Sequence, residues 1–379
     1  MPLSRSDISP NRMSPIKVLI VDDSASIRAA LSSLISDDPG LTLIAAVPDA
    51  FAAVEIMRKS LPDVMLLDLE MPKMDGLTFL RKIMAQRPLP VVVCSSYTNG
   101  GSDASIRALE YGAIGVIAKP RLDTPAARRE AAIQIGDALR AAAQTRRRAV
   151  DHKVRESAAS APGEKLTADA ILPALPPKKL PHAQPVIAIG ASTGGTEALR
   201  VVLEALPADA PGIVVVQHMP ENFTNAFARR LNGLCAIEVR EAQDGDVVRP
   251  GLALIAPGNR HLLLRRSGSG YRVGVVDGPC VSRHRPSVDV LFRSTAQAAA
   301  ENALGIILTG MGDDGAKSML EMRASGAVTL AQDEESCVVY GMPREAVAHG
   351  GVTRTVSLLK MPAEIMMFAA ESASPRRRA

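Results

Sequence analysis

The sequence predicts an α/β protein of two doubly wound modules joined by a linker. Three observations carry that expectation. Apolar, β-branched runs alternate with amphipathic segments. A Pro- and Ala-rich stretch breaks the pattern near the middle of the chain. Several of the apolar runs end in Asp, Ser, His or Gly at the turn into a helical segment. At 379 residues the chain is also too long for one ordinary domain.

The composition narrows the class. Hydrophobic residues make up 47% and charged residues 22%, an ordinary globular balance. Aromatics are only 3% and Trp is missing, so the core must rest on Val, Ile, Leu, Ala and Met. No apolar run approaches the roughly 18 residues that span a bilayer. Met1–Pro15 lacks the apolar centre of a secretory signal, so a cytoplasmic location without membrane insertion is expected. Cys94, Cys235, Cys280 and Cys337 lie far apart, which favours reduced thiols over a disulfide framework or metal site. The net charge of +4 is uneven: Lys119–Arg155 carries +6 and Arg376–Arg378 carries +3, leaving −5 elsewhere. Positive charge is therefore expected on a solvated linker and tail, not on a folded face for nucleic acid.

The expected organisation is a flexible N-terminus (1–15), a first module (16–148), a linker (149–184), a second module (185–371) and a basic tail (372–379). Pro173, Pro176, Pro177, Pro181 and Pro185 make the linker partly extended.

In the first module the strand-like runs are Lys17–Val21, Leu41–Val47, Val64–Leu67, Val91–Cys94 and Ile114–Ile117. Helical patterns fall at Ser26–Ser36, Ala50–Ser60, Gly76–Gln86, Ser102–Tyr111 and Ala126–Arg148. Continuous apolar strands between helices imply a parallel sheet covered on both faces. Sites in such folds form at the carboxyl ends of strands. Those ends hold Asp22 and Asp23, Asp68, Ser95, and Lys119 before Pro120. Three converging carboxylates suit Mg²⁺, a hard cation that takes oxygen ligands and keeps positions open for phosphate. A lysine and a hydroxyl opposite could hold phosphoryl oxygens on Asp68. The bland alternative is a helix cap at Asp22–Asp23 and a surface lysine; five positions in strand order weigh against it.

This half resembles the receiver domain of bacterial response regulators, a flavodoxin-like fold, through Asp68-Leu-Glu-Met-Pro72, Met74-Asp75-Gly76 and Lys119-Pro120. The resemblance implies Asp68 as phosphoacceptor from a histidine kinase, Asp22, Asp23 and Asp68 as Mg²⁺ ligands, and Ser95 and Lys119 as the switch. Val116 stands where many receivers carry an aromatic residue, so the switch is expected to act through other surfaces.

In the second module, Val186–Gly190 runs into Ala-Ser192-Thr-Gly194-Gly195, with a helical segment from Thr196 to Leu206. Gly190 and Gly194 flank the serine and permit a sharp strand-to-helix turn that lifts the hydroxyl from the sheet edge. A serine needs a base to act as a nucleophile. Gly212–Val216 ends in Gln217-His218-Met219-Pro220, and Leu304–Thr309 ends in Gly310-Met311-Gly312-Asp313-Asp314-Gly315. Three strand–helix turns thus bring Ser192, His218 and an aspartate to one edge, the set of nucleophile, base and orienting acid. The order Ser, His, Asp differs from the α/β-hydrolase order, and the loop lacks phosphate-loop spacing.

These three motifs resemble those of the chemotaxis protein-glutamate methylesterases, the CheB family, whose architecture is a receiver, a linker and a mainly parallel α/β catalytic domain. The resemblance implies Ser192 as nucleophile, His218 as general base and acid, and Asp314 as the residue that fixes the imidazole. Asp313 falls at the family's variable position and is expected to be a solvated turn acid or a contributor to the local field. It also implies hydrolysis of glutamyl methyl esters and deamidation of glutamines on chemoreceptors, with no cofactor for the esterase step. Backbone N–H groups near Thr193 and Met311 are the expected oxyanion donors. Two other readings are a DNA-binding output, which a strand-rich acidic module does not suit, and a degenerate hydrolase that binds without turnover.

Overall fold

The computed structural model describes residues 14–72, 74–96, 99–120, 122–150 and 165–373. Most of the N-terminal segment, the linker from Asp151 to Glu164 with His152, and the Arg376–Arg378 tail lie outside the described residues.

The first module alternates β1 (Ile16–Val21), α1 (Ala25–Ser36), β2 (Leu41–Val47), α2 (Ala50–Lys59), β3 (Val64–Leu67), α3 (Gly76–Gln86), β4 (Val91–Ser95), α4 (Asn99–Glu110), β5 (Gly115–Ala118) and α5 (Pro125–Val150). The strands pair in parallel in the order β2-β1-β3-β4-β5. Apolar side chains cover both faces of this sheet, with Leu19, Met65 and Phe79 on one side and Ile20, Leu31 and Leu139 on the other. Ser24, Asp49 and Asp75 cap α1, α2 and α3 by accepting from main-chain N–H groups, satisfying donors that a helix start leaves open. The fifth strand begins at Gly115, one residue later than expected: the Ala113 N–H still bonds back to the Ala108 carbonyl of α4, and Ile114 only begins the pairing, through its N–H on the Val91 carbonyl of β4.

The second module contains β6 (Val186–Ala191), α6 (Gly195–Glu204), β7 (Gly212–Gln217), α7 (Phe223–Asn232), β8 (Glu238–Glu241), β9 (Val247–Val248), β10 (Leu252–Ile255), β11 (His261–Ser267) and β12 (Gly270–Val276). These are followed by α8 (Val288–Ala299), β13 (Ala303–Ile307), α9 (Ala316–Ala324), β14 (Val328–Gln332), α10 (Met342–Ala348), β15 (Arg354–Val356) and α11 (Met361–Ala373). Seven strands form a parallel sheet in the order β15-β14-β13-β6-β7-β10-β8. Strands β11, β12 and β9 form a small antiparallel sheet beside it.

Every residue of β6 and β7 is buried, as expected of central parallel strands. Each fully buried Val or Ile there contributes about 1.5–3 kcal/mol, so the strand ends sit on a rigid platform. The strand order reverses on either side of β6, with β13 on one flank and β7 on the other. Such a reversal opens a crevice at the carboxyl edge.

The linker's second half is docked on this module. Ala168 is buried against Leu263, Val281 and Val290. The Arg293 guanidinium, itself buried, donates to Asp169 Oδ1 at 2.7 Å and to the Leu172 carbonyl at 3.0 Å.

Candidate active site

Ser192 follows β6 directly, and its N–H donates to the Thr309 carbonyl at the end of β13 (3.0 Å). The turn into α6 is made by Gly194 at φ +77°, where a Cβ would meet the Val338 side chain at 2.6 Å; only glycine fits. On the other side, a Cβ on Gly310 would lie 2.8 Å from Ser192 Cβ. The Gly310 turn therefore presses directly against the serine.

His218 follows β7 directly, and its N–H donates to the Ala191 carbonyl at 3.1 Å. This places serine and histidine at neighbouring strand ends. Gln217 stitches them together: its Nε2 donates to the carbonyls of Ser192 (3.0 Å) and His218 (3.2 Å).

His218 Nε2 lies 2.8 Å from Asp314 Oδ2. A carboxylate can only accept here, so Nε2 carries the proton and Nδ1 holds the lone pair. His218 Nδ1 is buried and has no hydrogen-bond partner. The structure thus unites His218 with Asp314, whereas Ser192 shares their edge without a hydrogen bond to Nδ1. Nucleophile–base contacts are often long before substrate arrives.

Asp314 is buried at the N-terminus of α8. It accepts from Ser287 Oγ (2.8 Å), the Val288 N–H (2.8 Å) and the Asp289 N–H (3.0 Å). Burial raises its carboxyl above the usual range, and these donors oppose the rise. Burial also pushes His218 down to about 3, so its ring is neutral near pH 7, the form a base requires. The His284 ring lies flat on His218, with centroids 3.7 Å apart and planes 9° from parallel.

Asp313 lies partly exposed in the turn. It pairs with Lys165 from the linker. Burial would raise its carboxyl, but the Lys165 ammonium more than offsets this and holds it low. The N–H groups of Thr193 and Met311, the expected oxyanion donors, lie in the two turns that flank Ser192, and neither is engaged in a hydrogen bond among the described residues. His261 is structural: it is buried, with Nε2 on the Pro279 carbonyl and Nδ1 accepting from the Ser287 N–H.

Sequence reasoning missed His284, Ser287, Asp289 and the Gln217 bridge. Gln217 alone left a signal, a polar residue closing an otherwise apolar strand. His284 reads as one residue of a basic loop, and only the tertiary fold brings it to His218.

At the first module's edge, Lys119 Nζ lies 2.7 Å from Asp68 Oδ2 and 3.3 Å from Asp22 Oδ2. Burial raises the Asp68 carboxyl against the pull of Lys119 and the Glu70 N–H. Carboxylate oxygens of Asp22, Asp23 and Asp68 lie within 4.8 Å of one another. Asp22 Oδ2 is buried, and its approach to Lys119 lacks hydrogen-bond geometry. Three carboxylates gathered this closely, with the Lys119 ammonium beside two of them, supply the hard oxygen donors that suit a divalent cation. Ser95, buried at the end of β4, completes the edge.

The modules meet through α4. Ile106 is buried in the same apolar cluster as residues of α6 and α7, with Leu109 and Val116 packed against it. Glu110 pairs with Arg230 at 2.6 Å and Asp103 with Arg229 at 3.4 Å. Helix α5 reaches the loop that carries His284, where Cys280 Sγ donates to Glu130 Oε1 at 3.4 Å. All four cysteines are free thiols. Among the described residues, no helix is long and apolar enough to cross a membrane.

Comparison with known proteins accords with both halves. The family model for the response regulator receiver domain matches residues 18–126, and that for CheB methylesterase matches residues 187–365. A Cereibacter sphaeroides protein named protein-glutamate methylesterase/protein-glutamine glutaminase of group 3 operon is 64% identical, covering 93% of this chain and 95% of that one. An Anaeromyxobacter dehalogenans protein-glutamate methylesterase/protein-glutamine glutaminase 5 is 57% identical, covering 93% and 96%. The crystal structure of the Thermotoga maritima CheB methylesterase catalytic domain is 35% identical, with a TM-score of 0.48 over 49% of this chain and 98% of that one.

Proposed function

The chain belongs to the CheB family of protein-glutamate methylesterase/protein-glutamine glutaminases with a response regulator receiver domain, and on that premise we propose that it demethylates and deamidates chemoreceptor helices in the cytoplasm, by a Ser-His-Asp mechanism, in chemotaxis adaptation. One observation carries the mechanism: His218 keeps a buried, unpartnered Nδ1 at the strand end beside Ser192 while Asp314 holds Nε2.

Ser192 Oγ attacks the side-chain carbonyl of a glutamyl methyl ester, and His218 Nδ1 takes the hydroxyl proton. The N–H groups of Thr193 and Met311 receive the oxyanion; one such donor is typically worth about 2.7–4 kcal/mol. His218 returns the proton to the departing methoxide, and methanol leaves. Water, deprotonated by the same imidazole, then releases glutamate from the acyl-serine. A glutamine side chain follows the same course with ammonia as the leaving group. Asp314 keeps the proton on Nε2 and stabilises the imidazolium as it forms.

A histidine kinase phosphorylates Asp68. Asp22, Asp23 and Asp68 would hold Mg²⁺, which when bound would supply positive charge against the three carboxylates and a phosphoryl group. Lys119 and Ser95 then bind phosphoryl oxygens, drawing Lys119 from its present pairing. The α4–α7 contacts and the approach of α5 to the His284 loop support a receiver that restrains the unphosphorylated site. The test is methanol release from methylated receptors with and without a small-molecule phosphodonor. Hydrolysis that rises with the donor is expected. Failure to release methanol under either condition contradicts the assignment.

A further inference from the structure

Behind the His218–Asp314 pair lies a second buried carboxylate that the triad does not use. Asp289, in the first turn of α8, ties three elements together. Its N–H donates to Asp314 Oδ1 at 3.0 Å. Its Oδ1 accepts from the Ser318 N–H in the first turn of α9 at 3.0 Å. Its Oδ2 accepts from the Ser282 hydroxyl at 2.7 Å, and that contact is buried.

Ser282 belongs to the loop that presents His284. Ser282 and Arg283 have φ of +49° and +72°, a left-handed conformation that non-glycine residues seldom hold without outside support. The supports are visible. Val281 and His284 exchange main-chain hydrogen bonds at 3.0 and 2.8 Å, and the Ser282 N–H donates to the Leu166 carbonyl at 2.9 Å. The Ser282 hydroxyl on Asp289 is a buried side-chain anchor of this turn.

The loop delivers the His284 ring against His218. An imidazole bonded at Nε2 alone can still swing about χ2, a broad torsion. A second ring packed flat at 3.7 Å removes that swing, so the direction of Nδ1 depends on the loop.

Resting on the serine-hydrolase reading above, we propose that Asp289 is a positioning residue of the reaction. Through Ser282 it fixes His284 as the wall that orients His218, and through its N–H it steadies Asp314. Asp289 touches no reacting atom. Its contribution to rate comes entirely from geometry, where a misplacement of 1 Å can cost about 100-fold.

The experiment uses the full chain with methylated receptor membranes as substrate, at a temperature where circular dichroism shows each variant folded. Asp289→Asn and Ser282→Ala should each lower kcat by about 10- to 100-fold with KM within about twofold of the parent. His284→Phe, which keeps a flat ring, should recover most of the rate lost in His284→Ala. A merely structural role would lower the melting temperature and leave kcat of the folded variants intact. If the folded Ser282→Ala variant keeps the parent kcat, or if His284→Phe is no faster than His284→Ala, the inference is overturned. Ser192→Ala is assayed alongside: activity surviving there would sink the serine mechanism itself, whereas a dead Ser192→Ala with fully active Asp289→Asn and Ser282→Ala removes only the positioning role.

Discussion

The 2.8 Å contact between His218 Nε2 and Asp314 Oδ2 decides which nitrogen of the imidazole is left to act. In many serine hydrolases Nε2 faces the nucleophile and Nδ1 the acid. Here the ring faces the acid the other way round, because the Gly310–Gly315 turn carries Asp314 to the N-terminus of α8, on the Nε2 side of the ring. Replacing Asp314 with Asn would present either an amide donor or a neutral acceptor to Nε2. Ester hydrolysis by Asp314→Asn should fall by about 10⁴-fold, measured as kcat with the fold verified. Activity within tenfold of the parent would show that the acid does not set the tautomer.

Acid should weaken this fold through its buried imidazoles. Burial pushes both His218 and His284 down to about 3, while an unfolded histidine titrates near 6.5. Between those values the unfolded chain binds protons that the folded chain does not, so stability falls as pH drops through that window. Each ring contributes about 1.4 kcal/mol per pH unit. Asp289, raised to about 6 by burial and by the Asp314 charge, acts in the opposite sense between 3.8 and 6. The urea midpoint should therefore be compared between the parent and a His218→Gln/His284→Gln variant from pH 7 to pH 5. The parent should lose stability more steeply. Equal slopes would mean that the rings are protonated or solvated in the folded state.

The receiver should couple to the esterase through Asp68. In Asp68→Asn the ratio of rates with and without phosphodonor should fall to about one. A retained stimulation would place the phosphoacceptor elsewhere. Lys119→Ala keeps the Asp68 acceptor but loses the cation proposed to move from Asp68 and Asp22 to the phosphoryl oxygens, so it should show little stimulation of methanol release by phosphodonor.

The α4–α7 contact gives the restraint a physical handle. Ile106 is buried between the modules, and a carboxylate placed there would lack a partner. Ile106→Glu should raise the unphosphorylated rate by about 5- to 100-fold, the usual range of a coupling energy. Reversing Arg230 against Glu110 should do less, because that pair is half-exposed and such pairs are worth about 0.2–1 kcal/mol. An unchanged or lower rate in Ile106→Glu would argue that this packing does not restrain the site.

The parallel strands were legible because burial on both faces leaves an uninterrupted apolar run, as in Val91–Ser95 and Gly212–Gln217. The turns were legible where backbone geometry restricts the residue, as at Gly194. The small antiparallel sheet left little trace: β9 is only two residues long, and β11 ends in Arg265, Arg266 and Ser267. Helix α8 was hidden for the opposite reason. It is buried almost all round, so no single polar face marks a helical period. Of the site, Ser192, His218 and Asp314 stood out by their places after strands. Asp289 and His284 did not, since their meaning lies in contacts between segments distant along the chain.

The mechanism is tested most directly by methanol release from methylated receptors, comparing the parent with Ser192→Ala at equal, folded concentration and with phosphodonor present. Loss of the nucleophile should reduce kcat by about 10⁶-fold, to the background of the binding site alone. Methanol released by Ser192→Ala at a rate near the parent's would contradict the account.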